Sequence, residues 1–220
     1  MSEPVTDQIS AVASISDPQR RALYDFVSRS GGLVSREEAA QAVGMPRSTA
    51  AFHLDRLVED GVLETDFKRL SGKTGPGAGR PSKLYRRARR EISVSMPPRR
   101  YELAGNLLAA AIEEADRTGE PVRTVLADLS AATGRELGAS AGSLDAALET
   151  CGYEPRDDGD GGMVLTNCPF DNLATKHTDV ICHANVALLQ GVADGASETE
   201  RTVEFVVPTD GCCCVRVAAK

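Results

Sequence analysis

No run in this 220-residue chain approaches the roughly 18 apolar residues that a membrane-spanning helix requires, which excludes that class of membrane protein. The start, MSEPVTDQISAVASISDPQRR, lacks the basic stretch and apolar core of a secretion signal, so the expected location is the cytoplasm. A reducing compartment argues against structural disulfides and turns the six cysteines towards metal or redox chemistry. No Cys-x-x-Cys pair is present, so the usual advertisement of a zinc site is missing. Only three histidines occur, His53, His177 and His183, and they form no recognisable triad. GPGAGRPSK superficially resembles a phosphate-binding loop, but its flanks are a basic hairpin rather than a strand and a helix. No enzyme and no small-molecule substrate are therefore expected.

What is present is unevenly charged. The formal net charge is −7, yet residues 66–90, DFKRLSGKTGPGAGRPSKLYRRARR, hold nine Lys or Arg against one Asp. A basic surface on an otherwise acidic chain is the electrostatic footprint of phosphate neutralisation.

Upstream, three short helices and a hairpin are legible. Asp17 and Pro18 open a helix with Leu23, Phe26 and Val27 on one face, ending at Gly31 and Gly32. Ser35 and Glu38 form a capping box for a second helix that stops at Gly44. The third begins near Pro46, with Ala50, Leu54, Leu57 and Val58 inside. Two helices joined by a tight turn are a helix-turn-helix candidate, whose second helix leads into the major groove. Arg47, Ser48 and Thr49 occupy its leading end, and His53 follows one turn on. VLETDFKRL and PSKLYRRA alternate as strands about a Gly-rich loop, making a wing with Lys73 and Arg80 on the loop and Lys68, Lys83 and Arg86 on the strands. The predicted partner is double-stranded DNA, read as a palindromic operator by a homodimer.

The expected fold class is α+β. Residues 1–16 are an N-terminal tail, 17–90 the winged helix-turn-helix domain, 91–142 a linker and helical dimerisation region, and 143–220 a C-terminal α/β domain. In the middle region Leu103, Leu107, Leu108, Ala111, Ile112 and Ala115, then Val122, Val125, Leu126, Leu129 and Leu137, follow helical spacing. In the last domain Cys168 follows a strand, Cys182 sits at a helix start, and Cys212, Cys213 and Cys214 open the final strand. These thiols read as buried filler, as a metal site, or as ligands of an iron-sulfur cluster drawn from separate elements, the last fitting wide spacing best. Alternation places Cys213 on the inner face with Val215 and Val217, which makes it the third ligand beside Cys168 and Cys182. Cys212 or Cys214 takes over if a bulge at Gly211 shifts the register.

STAAFHLDRLVEDGVLE and GRPSKLYR resemble the winged helix-turn-helix domains of ArsR-like and DeoR-like bacterial regulators. With LETCGYEP, NCPFDNLA, VICHANVALLQG and CCVRV behind them, nearly the whole chain resembles the SufR family of iron-sulfur-sensing repressors. The resemblance implies a 4Fe-4S cluster, with 2Fe-2S as the other form such ligands hold, on Cys168, Cys182 and one terminal cysteine. It also implies a holo dimer that represses cluster-assembly genes. The family often carries an aromatic residue two places after its last cysteine, where this chain has Val215. The competing reading is a repressor that senses oxidants or metals through the thiols without a cluster.

Overall fold

The computed structural model describes residues 5–68, 81–207 and 212–220. The chain divides into two units, Met1–Val94 and Ser95–Lys220.

The first unit begins with α1 (Val5–Ser14) and α2 (Pro18–Arg29). Asp17 caps α2, its carboxylate accepting hydrogen bonds from the amides of Gln19 and Arg20 at 3.0 and 2.9 Å. After the short β1 (Val34–Ser35) come α3 (Arg36–Val43) and α4 (Arg47–Glu59), then β2 (Leu63–Lys68) and β3 (Ser82–Arg87). The capping box on α3 is reciprocal: the Glu38 amide donates to Ser35 Oγ and the Ser35 amide to Glu38 Oε2. Gly44 closes α3 at φ 70°, a left-handed conformation that favours glycine. The sheet order is β1-β3-β2, all antiparallel, with Thr65 and Val34 on either side of Tyr85. Leu23, Val27, Ala39, Ala50, Leu54, Leu57 and Tyr85 fill the core between the helices and this sheet.

Residues 1–16 are not simply a tail, because α1 covers most of them. Ala11 is buried in the unit's core and Ile15 packs against it, while the Arg20 Nε–H donates to the Ser14 carbonyl at 2.6 Å. A single small buried apolar side chain, with Ile9 and Val12 exposed around it, gives no helical stripe to read.

The second unit holds α5 (Tyr101–Thr118), α6 (Val122–Ala141), α7 (Leu144–Thr150), β4 (Pro155–Asp157), β5 (Met163–Leu165), α8 (Asp171–Lys176), α9 (Thr178–Gly195), β6 (Arg201–Phe205) and β7 (Val215–Ala219). Its sheet is antiparallel in the order β4-β5-β7-β6, with Val203 paired to Val217 and Phe205 to Val215. The core joins α7, α9 and the sheet through Leu148, Tyr153, Leu165, Leu189, Val192 and Val217.

The helices expected to stand apart over 91–142 belong to this unit. Ala111, Ala115, Val125 and Leu126 join α5 to α6, whereas Ile112 is half exposed. α6 lies against α9 at backbone distance. A Cβ on Gly134 or Gly138 would fall 2.0 or 2.1 Å from the carbonyl oxygens of Leu188 and Val192. Reciprocally, a Cβ on Gly191 or Gly195 would fall 2.1 Å from those of Ala131 and Arg135. Two glycine pairs at four-residue spacing thus let the helices run side by side without intervening side chains.

The last strand also departs from expectation. β7 starts at Val215, so Cys212, Cys213 and Cys214 precede it rather than open it. Strand alternation does not govern them, and Cys213 and Cys214 are both buried. The bulge considered at Gly211 lies outside the described residues.

Candidate functional site

Cys168, Cys182, Cys212, Cys213 and Cys214 line one cavity of about 510 Å³ in the second unit, together with Pro97, Arg99 and Asp171. Three segments supply them. Cys168 lies on the loop between β5 and α8, Cys182 on the first turns of α9, and the triplet on the approach to β7. The Cys213 amide donates to the Leu165 carbonyl at 2.8 Å, which fixes the triplet beside β5. The Asp171 amide donates to the Cys168 carbonyl at 3.1 Å and starts α8 immediately after the cysteine.

The thiols of Cys168, Cys213, Cys214 and Cys182 perturb one another in that order, and Cys214 Sγ also faces the Cys182 carbonyl at 4.0 Å. Their acidities alternate along the series. The Cys213 thiol lowers the pKa of Cys168 and also holds Cys214 down at about 6, against the opposing effect of burial. Hydrogen bonding to Cys168 and Cys214 pushes Cys213 well up, and burial with the Cys214 contact raises Cys182 to about 12. Asn185 adds a further donor. Its Nδ2 reaches Cys213 Sγ at 3.3 Å and Cys214 Sγ at 3.7 Å, and its Oδ1 accepts from the Tyr153 hydroxyl. Cys151 is buried at the end of α7 and does not line the cavity.

A strap of backbone runs along the same loop. The Arg99 guanidinium donates to the Cys168 carbonyl and, at 3.4 Å, to the Asp171 carboxylate. The Arg100 amide donates to the Pro169 carbonyl at 3.0 Å. Sequence reading missed Arg99, Asn185 and the position of Cys214. Asn185 had a signal, since it lies three residues after Cys182 and thus on the same helical face.

In the first unit, α4 follows α3 after Gly44, Met45 and Pro46. Arg47 and Ser48 are exposed at its start, with Arg47 paired to Glu37 of α3, and Thr49 is half-buried. His53 is turned inward, its Nε2 3.1 Å from Gln19 Oε1. On the wing Lys68 is exposed at the end of β2. Lys83 and Tyr85 both donate to Asp55 Oδ1, at 2.6 and 2.7 Å, bracing β3 against α4, and Arg86 pairs with Glu64 at 2.9 Å. Partial burial works against the Asp55 carboxylate, but these two hydrogen bonds outweigh it and hold its pKa below the ordinary value. Lys73 and Arg80 lie outside the described residues.

Residues 15–66 match a helix-turn-helix domain family. The match runs from the end of α1 into β2 and takes in α3 and α4 whole, so the protein is a DNA-binding transcriptional regulator. No curated protein and no solved structure matches the chain. Within the matched residues α4 is the second helix of the α3–α4 pair. Among the described residues, no helix is long and apolar enough to cross a membrane, and no group of three or more His, Cys, Asp or Glu is arranged to hold a metal ion.

Proposed function

We propose that this regulator is a homodimeric repressor of iron-sulfur-assembly genes that senses an iron-sulfur cluster of the 4Fe-4S type through Cys168, Cys182 and Cys213. The observation that carries the reading is the convergence of cysteines from three separate segments on one cavity, with an amide donor behind two of the sulfurs. A single ion needs its ligands gathered at one point, whereas a cluster takes thiolates at different irons around a space, as separate segments supply them. The donor set fits: soft sulfurs, with Cys168 and the neighbouring Cys214 lowered in pKa, and N–H···S hydrogen bonds of the kind that tune such centres. Cys214 stands beside Cys213 as the neighbour that takes its place. When bound, the cluster supplies a ligand whose presence and oxidation report iron and redox status.

The chain's own residues carry the signal. The loop 166–171 presents Cys168 to the cavity and holds Arg99 and Arg100 through its carbonyls, and those arginines lie in the segment that follows the DNA-binding unit in sequence. A ligand that binds one arrangement of this loop more tightly shifts DNA affinity by at most that differential, where the arrangements differ in their hold on DNA. Two copies then set two α4 helices about one duplex turn apart on a palindromic operator.

The test is anaerobic purification with iron and acid-labile sulfide assays on wild type, Cys168→Ala, Cys182→Ala, Cys213→Ala and Cys214→Ala, each followed by operator binding. Brown wild-type protein, loss of cluster in the first three variants and weaker operator binding by apoprotein are expected. Full cluster content in those three variants, or equal DNA affinity of apo and holo protein, overturns the reading. A second reading draws on the gathering of these mutually perturbing thiols at one cavity, which suits a thiol switch. It predicts colourless protein whose free-thiol count falls on mild oxidation.

A further inference from the structure

We propose that Phe52 is a base-reading residue, packing against the methyl group of a thymine in the major groove. Positions 48, 52 and 56 of α4 form one exposed line, opposite the buried line of Ala50, Leu54 and Leu57. Ser48 and Arg56 are polar, as a solvent face should be. Phe52 between them is 67% exposed, the most exposed large apolar side chain on this helix. It contributes nothing to the core of its unit.

The ring is steadied from one side. It stands edge-on to the His53 imidazole, with centroids 5.4 Å apart and planes at 66°, and His53 is itself held against Gln19. That leaves the opposite side of an oriented ring facing outward, one turn beyond Arg47 and Ser48 at the leading end. A helix in this position meets base edges, and the thymine C5-methyl is the apolar group there that an aromatic side chain contacts. The neighbouring arginine does not compete for the position, because Arg56 is paired with Glu59 and Asp60. His53, expected to touch DNA, has the structural part of steadying Phe52. The inference rests on α4 being the groove-reading helix and needs nothing from the cysteine cavity.

The experiment uses the full-length protein as purified in its DNA-binding form. A binding site is selected from a random duplex pool, and each thymine in it is then replaced singly by deoxyuridine, which removes only the methyl. Wild type should lose about three- to five-fold in affinity at one thymine per half-site, the worth of one buried methyl. Phe52→Ala should bind the thymine and deoxyuridine duplexes equally, and Phe52→Leu should retain part of the discrimination. Affinity for random DNA at the same salt should change by less than about two-fold, since phosphate contacts carry it. Phe52 is exposed, so both variants should keep the wild-type far-ultraviolet circular dichroism. Three results would overturn the proposal: deoxyuridine neutral at every position for wild type, an equal loss in Phe52→Ala, or a change of oligomeric state in Phe52→Ala with sequence selectivity intact. Failure of any duplex to be selected would refute sequence-specific binding itself, a different outcome from losing the methyl effect.

Discussion

Replacing Gly138 with alanine puts a methyl carbon 2.1 Å from the Val192 carbonyl oxygen and 2.8 Å from the Ala196 nitrogen. Both neighbours are backbone, so no side chain can swing away. Ordinary contact begins at 3.4 Å, and the deficit of more than an ångström must be met by moving α6 away from α9. Overpacking of this kind costs about 1–3 kcal/mol, with the upper part applying where the obstruction is rigid. Alanine returns up to about 1 kcal/mol through its better helix propensity. The net expectation is a loss of about 1–2 kcal/mol, confined to the second unit. Hydrogen exchange resolved by peptide separates the two units, which a global melt would blend. Amides of α6 and α9 limited by opening of the helix pair should exchange about five- to thirty-fold faster. Gly105→Ala is the matched control, since a Cβ there meets nothing within 4 Å on the exposed side of α5. It should slow exchange in α5 by up to about five-fold. Unchanged or slower exchange across α6 and α9 in Gly138→Ala would refute the argument that these backbones are in direct contact.

Two further outcomes test the ties described above. Arg99→Ala should leave iron and sulfide content at wild-type level while narrowing the difference between apo and holo operator affinity; an unchanged difference removes Arg99 from the coupling. Asp55→Asn bears on pH dependence, because the folded-state pKa of Asp55 lies below its unfolded value. That contribution is complete above the unfolded carboxylate range, near about pH 4, and is lost as pH falls through the folded value. The variant should therefore show a shallower decline in stability of the first unit between about pH 4 and 2, measured by acid titration with hydrogen-exchange readout. A decline as steep as wild type would mean that the Lys83 and Tyr85 hydrogen bonds do not favour the ionised carboxylate.

What the residues announce in advance here is local chemistry. The Asp17 cap, the Ser35–Glu38 box and the Gly44 turn each depend on a few neighbours, and all three form as their spacing implies. The terminal cysteines show where this stops. Their parity argument assumed a strand beginning at the first thiol, but β7 begins only at Val215, opposite Phe205 at the end of the preceding strand. Both Cys213 and Cys214 then turn inward, so alternation has nothing to sort. Gly134, Gly138, Gly191 and Gly195 were silent for a related reason: each alone reads as a weak helix position, and their use appears only when two helices meet. Lys83 and Arg86 look like phosphate ligands in sequence, yet each has an acidic partner on a neighbouring element. The basic wing is therefore partly neutralised from within, by carboxylates that the sequence spacing alone does not place beside it.

The Asn185 amide is held at both ends. Tyr153 is buried and its hydroxyl hydrogen points at Oδ1, so the amide hydrogens are left to face Cys213 and Cys214. Turning the group over would set two donors against each other and an oxygen lone pair against sulfur. The side chain thus acts as a fixed dipole whose positive end is aimed at the Cys213 and Cys214 sulfurs. Negative charge on the Cys214 sulfur is therefore favoured from behind, by an amide that Tyr153 holds in place without touching the thiol.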